Sequence, residues 1–432
     1  MTVPKVHYDL IVVGGGASGL MAAGRAAERG KKVLLLEKNR QVGQKLKISG
    51  GGRCNITNAE FDPRILLQAY GKAEQFLYSL FSQFGVKETF SFFESHGLPL
   101  VVQERKRAFP KTEKAEDVLK VFQQYLRDGN VAVHTASPVA QIHFGKGKIT
   151  GVSSGKEMYS ATDYIFSTGG VSHPETGSTG DGLEWLRALG HKVVKPTPTI
   201  VPLKVSDVWS KALAGVSISL MKITFFVGEH TAEGAEIKKK AFSETGKILF
   251  THFGISGPLI LNSAHKVADL LHDGAVMATI DLFPSADLGG LEKTIIAAFD
   301  ANKNKALKNM LKELVPAGMT KGLVILLAQG VDVEKKVHSI SKEERKYLVR
   351  TLKALPLTIT GLMGFDRAVI ADGGVALEEI DMKTMRSKKV TNLYVTGDLL
   401  HINRPSGGFS LQLCWSSGYV AGSHVGSDRV VK

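Results

Sequence analysis

The 432-residue sequence has few cysteines, no long apolar run and no evident cluster of metal ligands. Its two cysteines, Cys54 and Cys414, are too few for a disulfide framework, so we expect a reducing, cytoplasmic location. No stretch approaches the ~20 apolar residues of a membrane span, and Met1–Val6 is too short for a signal peptide before the first predicted strand. The histidines are scattered, so no metal site is predicted. What remains is an ordinary globular composition, long enough for two or three domains.

Acidic residues are in the minority, and the chain carries a net charge of +14. Residues 1–53 hold ten Lys/Arg against three Asp/Glu, and further basic clusters lie at Arg105–Arg107, with Lys111 and Lys114 after it, and at Lys238–Lys240. Such charge serves solubility, attracts any anionic ligand, or marks a nucleic-acid surface. No RNA-binding module or low-complexity basic tail accompanies it, so solvated surface charge and RNA binding both stay open.

The most informative stretch begins as strand, glycine turn, helix and strand. Tyr8–Val13 and Lys32–Leu36 are short apolar runs typical of buried parallel strands, and Leu20–Arg29, closed by Gly30, reads as a helix between them. A glycine turn in this context predicts a dinucleotide whose pyrophosphate meets the helix N-terminus.

Each glycine of the turn has a separate role. Gly14 permits the tight turn, Gly16 lets a pyrophosphate approach the backbone, and Gly19 lets the helix pack close to the strand. Glu37 follows the second strand and can accept hydrogen bonds from both ribose hydroxyls. An acid at this position argues against a ribose 2′-phosphate, so the bound dinucleotide is expected to be FAD or NAD.

The glycine-rich loop that follows, Gly43–Asn58, favours FAD. Gly50–Gly52 stand among Ser, Arg, Asn and Thr, so the loop has no hydrophobic face and offers backbone donors to an extended ligand. A flavin would use such a loop because its pyrophosphate, ribityl chain and ring extend past the first βαβ unit.

Here the chain resembles a known family, the BaiN/RdsA-type NAD(P)/FAD-dependent oxidoreductases, bacterial flavoproteins distantly similar to fumarate reductase flavoproteins. The matching signatures run along nearly the whole chain in the family's order: Lys45–Asn58, Ser167–Leu183, Leu249–Leu259, Gly373–Glu378 and Gly397–Gln412. The resemblance implies an α/β fold, a Rossmann-like two-dinucleotide-fold FAD domain with an inserted β-rich domain and a small helical subdomain.

Changes of periodicity predict where these domains begin and end. Prolines mark a boundary near residue 196, short alternating strands follow, and lysine-rich helical spacing comes after them. We therefore expect a discontinuous FAD-binding domain at 1–195 plus 356–432, an inserted β-rich domain at 196–285 and a helical subdomain at 286–355.

The glycine turn, its loop and the resemblance together predict the FAD-binding residues. Val139 is expected beside the adenine, Thr168–Gly170 at the flavin and Asp398 at the ribityl chain, where related members often carry glutamate. The helix after Gly408 would stabilise the negative charge of reduced flavin. The predicted residues are Gly14, Gly16, Ala17, Ser18, Gly19, Glu37, Lys38, Lys45, Ser49, Gly50, Gly51, Gly52, Arg53, Cys54, Asn55, Thr57, Asn58, Val139, Thr168, Gly169, Gly170, Gly397, Asp398, Gly407, Gly408, Phe409, Leu411 and Gln412.

The family reading implies reduction of an activated C=C bond by hydride transfer from flavin N5, with NADH or NADPH as a transient reductant. No second GxGxxG with a following acid is evident, so no dedicated NAD(P) domain is expected. Candidates for the proton donor are His252, Arg53 and Arg404, each of which could instead be structural. Cys54 is expected to be a buried structural thiol because no CxxC partner is visible.

Three functions stay open on this evidence. The first is reduction of a small molecule with a conjugated C=C bond. The second is the same chemistry on RNA, reducing uridine to dihydrouridine in ribosomal RNA, since the family includes members linked to each substrate. The third is a non-enzymatic flavin-binding protein. Neither the substrate nor the oligomeric state can be read from the sequence.

Overall fold

The computed structural model describes residues 7–230 and 236–427, without the side chains of residues 229, 230 and 236–238. The described chain forms two compact units. One consists of the residues up to Thr197 together with those from Val369 onward, and the other is Pro198–Ala368.

From residue 7 to residue 198, the described chain contains ten strands and seven helices. The strands are β1 (His7–Val13), β2 (Val33–Leu36), β3 (Thr57–Asn58), β4 (Leu100–Gln103), β5 (Arg107–Pro110), β6 (Ala132–His134), β7 (Val139–Gly145), β8 (Lys148–Ser154), β9 (Glu157–Phe166) and β10 (Val193–Pro198). The helices are α1 (Ala17–Glu28), α2 (Gln44–Ile48), α3 (Pro63–Gln68), α4 (Glu74–Gln83), α5 (Val86–Ser95), α6 (Ala115–Asp128) and α7 (Asp181–Ala188).

The second unit follows, and the chain then returns to the first. The second unit contains β11 (Leu203–Val205), α8 (Val208–Lys211), β12 (Ser217–His230), β13 (Glu236–Thr251), β14 (Gly254–Ser256), α9 (Pro258–Asp273), β15 (Val276–Asp281), α10 (Leu288–Ala301), α11 (Leu307–Leu314), α12 (Thr320–Leu327), α13 (Lys342–Lys353) and β16 (Leu355–Leu362). The return adds β17 (Ala371–Val375), β18 (Leu393–Val395) and α14 (Phe409–His424).

A parallel sheet organises the first unit. Its strands run in the order β6-β2-β1-β9, with β18 on the other side of β9, and the start of β9 also pairs antiparallel with β8. Ile165 on β9 lies between Val12 on β1 and Tyr394 on β18. All three are fully buried, as expected where helices cover both faces of a parallel sheet. The predicted α/β fold with a Rossmann-like domain is confirmed.

Helix α14 approaches helix α1 closely because it carries glycines one turn apart. A Cβ at Gly418 would lie 2.3 Å from the Ser18 carbonyl oxygen, and a Cβ at Gly422 would lie 2.5 Å from that of Ala22. Both obstacles are backbone atoms, which cannot rotate away. The close packing of α14 on α1 therefore requires residues without a side chain at positions 418 and 422.

We expect Gly418→Ala to destabilise the protein by roughly 1–3 kcal/mol, because overpacking outweighs alanine's higher helix propensity of about 1 kcal/mol. Denaturant unfolding measures the difference. Gly145→Ala is the matched control, since a Cβ at Gly145 has no atom of the described residues within 4 Å. Equal stability of the two variants would contradict the close helix contact.

The second unit is built on a closed antiparallel barrel with the strand order β11-β14-β13-β12-β15-β16. Its core also takes in residues from the helices, including Ile295 of α10, Met310 of α11 and Leu348 of α13. The helical stretch thus shares one hydrophobic core with the barrel.

These bounds differ from those expected from the sequence. The predicted return to the first domain at residue 356 falls inside β16, where Leu355, Leu357 and Ile359 alternate inward and close the barrel between β15 and β11. The predicted separate helical subdomain, 286–355, lies with the β-rich stretch in one unit that ends at Ala368. The alternation of apolar residues from Leu355 to Ile359 is visible in the sequence, but the strands with which this segment pairs are not.

Candidate functional site

The glycine turn leaves one side of its backbone open. Gly14 has φ +103°, and a Cβ there would lie 2.5 Å from the Ser167 carbonyl oxygen, while a Cβ at Gly19 would lie 1.9 Å from that of Gly14. At Gly16, by contrast, the nearest atom to a Cβ is 4.0 Å away. Gly16 caps α1 without a side-chain hydrogen bond, so the first amides of α1 can bind an anion.

Glu37 is held against this turn by two backbone amides. Its Oε2 accepts a hydrogen bond from Gly15 N at 2.7 Å, and its Oε1 accepts one from Asn39 N at 2.8 Å. The residue is only 7% exposed. Each carboxylate oxygen keeps a further lone pair, so the two oxygens together can accept hydrogen bonds from a diol. Val139 follows on the same segment, whose Ser137 N donates to Glu37 O.

The predicted loop after Glu37 passes through a triple-glycine turn. Gly50, Gly51 and Gly52 have φ of +58°, +69° and +83°, and a Cβ on either of the last two would meet no atom within 4 Å. Cys54 behind them is buried, and burial raises the pKa of its thiol to about 12. A thiol held protonated in this way is no nucleophile at neutral pH.

The end of this loop is tied to the start of α14. Thr57 Oγ1 donates to Gln412 Oε1 at 2.6 Å, and Thr89 Oγ1 contacts the same oxygen at 3.1 Å. A Cβ at Gly408 would lie 2.2 Å from the Thr57 carbonyl carbon, so the two segments touch through their backbones.

Two further turns, at the ends of β9 and β18, complete the arrangement. A Cβ at Gly170 would lie 3.2 Å from Asp398 O, and one at Gly397 would lie 2.7 Å from Ser18 Oγ. Thr168 Oγ1 is buried and has no hydrogen-bond partner among residues 7–230 and 236–427. We call the set formed by Gly14–Gly19, Glu37, Gly50–Gly52, Thr168–Gly170, Gly397–Asp398 and Gly407–Gly408 the cradle.

A charged cluster lies at one side of the cradle. Arg404 is buried, its Nη2 contacts Asp398 Oδ1, and its other nitrogens donate to Ser410 Oγ at 3.0 Å and Ile402 O at 2.7 Å. Lys45 Nζ lies 3.8 Å from Asp398 Oδ2. Burial acts to raise the pKa of Asp398, but the charges of Arg404 and Lys45 and the hydrogen bond from Arg404 outweigh it, so that pKa lies below its ordinary value.

Burial also lowers the pKa of Lys45, against the opposing charge of Asp398. Lys38, another residue predicted to bind the cofactor, forms an ion pair at 2.7 Å with Asp181 and a hydrogen bond with Thr179. Of the two predicted lysines, Lys45 is therefore the one that faces a carboxylate of the cradle, that of Asp398.

The three candidates for the proton donor occupy different settings. Arg53 is 40% exposed and stacks on Phe109, with its Cζ 4.4 Å from the ring centroid. Arg404 is buried within the charged cluster. His252 belongs to the second unit, exposed in the β13–β14 turn and edge-on to Phe253.

Sequence reasoning missed several residues that fix the cradle. Thr396 Oγ1 bonds to Ser167 and Ser18, Ser410 holds Arg404, and Thr89 holds Gln412. Thr396 directly precedes the Gly397–Gln412 signature, so its place in the sequence could have marked it as part of the site. Nothing local marks Thr89, because its partner lies 323 residues away.

Of the basic clusters, Arg105–Arg107 lies beside the cradle, on the β4–β5 connection. Lys239 and Lys240 are exposed on β13, whereas the side chain of Lys238 lies outside the described residues. Across the described ranges, no helix has the length and apolar character to cross a membrane. The same ranges contain no group of three or more His, Cys, Asp or Glu placed to hold a metal ion.

Solved structures with this fold cover nearly the whole chain. A 3-ketosteroid-Δ4-(5α)-dehydrogenase from Rhodococcus jostii matches with a TM-score of 0.54 at 15% identity, over 98% of each chain. A quinol–fumarate reductase matches with a TM-score of 0.50 at 14% identity, over 98% of this chain and 71% of that one. At such identities the likeness shows the fold alone.

The fold and the cradle define a protein with a Rossmann-type nucleotide-binding domain. The model of the HI0933-like protein Rossmann domain matches residues 8–424, and the chain belongs to that family. The predicted membership of the BaiN/RdsA-type family is confirmed.

Similar proteins of known activity align almost end to end. The 3-dehydro-bile acid Δ(4,6)-reductase of Clostridium scindens is 28% identical over 417 residues, which are 95% of this chain and 97% of that protein. The ribosomal RNA dihydrouridine synthase of Haemophilus influenzae is 28% identical over 418 residues, or 96% and 97%.

Proposed function

We propose that this protein is an FAD-dependent oxidoreductase that reduces an activated C=C bond, with NADH or NADPH as the reductant. The observation that carries the cofactor assignment is the cradle, with an open backbone at Gly16 beside the first amides of α1 and a carboxylate held at Glu37. These are the groups that the pyrophosphate and the ribose of one extended ligand would engage.

When bound, FAD supplies the hydride chemistry, and the protein supplies binding, orientation and electrostatics. The amides of α1 and the side chain of Lys45 would hold the phosphates, Glu37 the ribose and Asp398 the ribityl chain. Arg404 keeps Asp398 ionised and in place. The similarity to a 3-dehydro-bile acid Δ(4,6)-reductase and to a ribosomal RNA dihydrouridine synthase supports the proposed reaction class.

The proton that completes such a reduction needs a donor. His252, Arg53 and Arg404 stay the proposed candidates. Arg404 would act by positioning, since its donors are already bonded within the protein. Arg53 is part-exposed and His252 exposed, so either side chain is open to exchange with water.

The second candidate function is reduction of uridine in ribosomal RNA. The net charge of +14 and the similarity to a ribosomal RNA dihydrouridine synthase favour it. A non-enzymatic flavin-binding protein is the third, and it requires that the bound flavin not be reduced by NADH or NADPH.

One experiment separates these functions. The protein is loaded with FAD, reduced under anaerobic conditions with NADH or NADPH, and then mixed with an enone or with unmodified ribosomal RNA. Bleaching of the flavin absorbance by either nucleotide, followed by its return with one acceptor, identifies the reductant and the substrate class. Absence of bleaching by both nucleotides would contradict the proposed NAD(P)H-dependent activity.

Glu37→Ala is expected to weaken FAD binding about 10–100-fold, because hydrogen bonds to a charged group contribute roughly 1.5–3 kcal/mol. The rate of reduction of the remaining bound flavin should change much less. Equilibrium dialysis of the released cofactor measures the affinity, with Glu94→Ala on the exposed face of α5 as the control. If the cofactor that co-purifies is FMN, Glu37 has no ribose to bind and the assignment is wrong.

A further inference from the structure

The connection between β4 and β5, residues 104–107, has a strained backbone and is called here the basic turn. Arg105 has φ +58° and ψ +34°, and Lys106 follows with φ +57°. Two consecutive residues with side chains in the left-handed region are uncommon, and such strain persists only where the surroundings impose it. The surroundings do so here, since Gln103 pairs with Arg107 across the strands and Ala59 N donates to Lys106 O at 2.6 Å.

Asn58 joins the basic turn to the cradle. Its Nδ2 donates to Arg105 O and to Gly407 O, each at 3.3 Å, and the residue is 8% exposed. Gly407 precedes Gly408, the residue that caps the N-terminus of α14. One buried amide therefore fixes the backbone of the basic turn against the edge of the cradle.

The guanidinium groups in this region are incompletely neutralised. Within the described part of the chain, the exposed side chain of Arg105 has no hydrogen-bond or ion-pair partner, and the side chain of Arg107 donates only to the Glu104 carbonyl oxygen. The Cζ atom of Arg53 lies 4.4 Å from the centre of the Phe109 ring, and its Nη1 donates to Gln103 Oε1 at 3.3 Å and lies 3.6 Å from Glu113 Oε1. Planar guanidinium groups match carboxylate and phosphate oxygens in geometry and charge.

We propose that the basic turn and Arg53 form a subsite for an oxyanion, a carboxylate or a phosphate, that the substrate carries beside its reacting bond. The inference rests on the proposed function, because it treats the ligand beside the cradle as the substrate of the flavin. A small unsaturated acid and the backbone of an RNA both present this chemistry. The turn is fixed to the cradle, and the guanidinium groups of Arg105 and Arg107 have no carboxylate partner among the described residues, whereas Lys106 pairs with Glu60. A merely solvating charge run does not require such fixing.

The test titrates the FAD-loaded protein with inorganic phosphate, with sorbate and its neutral amide, and with a short single-stranded RNA. Flavin absorbance and calorimetry report binding. Arg105→Gln and Arg107→Gln should each weaken phosphate binding about tenfold, the loss expected for one charge-assisted contact. Lys111→Gln removes the same charge just past the end of β5 and should change phosphate binding less than about twofold, as screening predicts. Circular dichroism and unfolding verify that each variant folds.

The outcomes distinguish the sources of the anion. Tighter binding of sorbate than of its neutral amide identifies a small acid as the source. RNA binding that weakens steeply with salt, with a smaller slope in the arginine variants, identifies backbone phosphate. Equal phosphate affinity of wild type, Arg105→Gln and Arg107→Gln overturns the subsite, and so does an equal loss in Lys111→Gln. Failure to retain FAD would instead remove the proposed function, while calorimetry would still report whether the turn binds anions.

Discussion

Arg404→Met should destabilise the protein by roughly 3–5 kcal/mol, the range measured when one partner of a buried ion pair is removed. The methionine fills much of the arginine's volume but leaves the Asp398 carboxylate without its principal partner. Chemical denaturation measures the loss. Asp398→Asn in the same background should recover part of it, because the amide carries no charge to be left unpaired. Failure of that second change to recover stability would show that Asp398 is not the group that needs Arg404.

The stability of the wild type and that of Arg404→Met should also depend on pH with opposite signs. In the wild type the pKa of Asp398 is lowered, so its contribution to stability is present above the unfolded aspartate value of about 3.9 and is lost as pH falls through the folded pKa. Without Arg404, burial dominates and should raise that pKa, so the variant should lose stability as pH rises above about 4. Parallel pH profiles between pH 4 and 7 would contradict this account of the charged cluster.

Gly16→Val should abolish FAD binding, with a loss of more than about 100-fold, while leaving the free protein's stability nearly unchanged. A Cβ at Gly16 meets no atom closer than 4.0 Å, and its backbone, with φ −81° and ψ −173°, is one that valine adopts readily. The isopropyl group would occupy the space in which the pyrophosphate meets the amides of α1.

Gly145→Val is the control for this substitution, because its position is equally open but lies at the end of β7, away from the cradle. Affinity is measured by reconstitution of the apoprotein with FAD, and stability by thermal unfolding without it. Normal FAD affinity in Gly16→Val would mean that the ligand does not pass this turn.

The parts of the fold that the sequence could predict are local ones. Strand, turn and helix between Tyr8 and Glu37 follow from runs of apolar residues and from the spacing of three glycines, each of which acts on its immediate neighbours. The cradle's glycine turns could be located for the same reason, since a positive φ is a property of a single residue.

What could not be predicted depends on pairing between distant segments. The alternation at Leu355–Ile359 marks a strand but does not say which strand it joins, so β16 was placed outside the barrel that it closes. Likewise, Arg404 could be singled out as a polar residue in a glycine-rich loop, but its burial against Asp398 depends on how that loop folds back. The packing of the whole unit decides which distant strand or side chain each of these segments pairs with.

The discontinuity of the first unit has a consequence for how the protein is made on the ribosome. Ser167 and Thr396, whose hydroxyls meet at 2.8 Å between β9 and β18, are 229 residues apart, and Pro198–Ala368 is synthesised in the interval. Strand β9 therefore lacks its neighbour β18 until the barrel has been synthesised, whereas the barrel has all of its own strands earlier. Because contacts so distant in sequence form slowly, cofactor capture should be among the late steps of biogenesis, after β18 and α14 have left the exit tunnel.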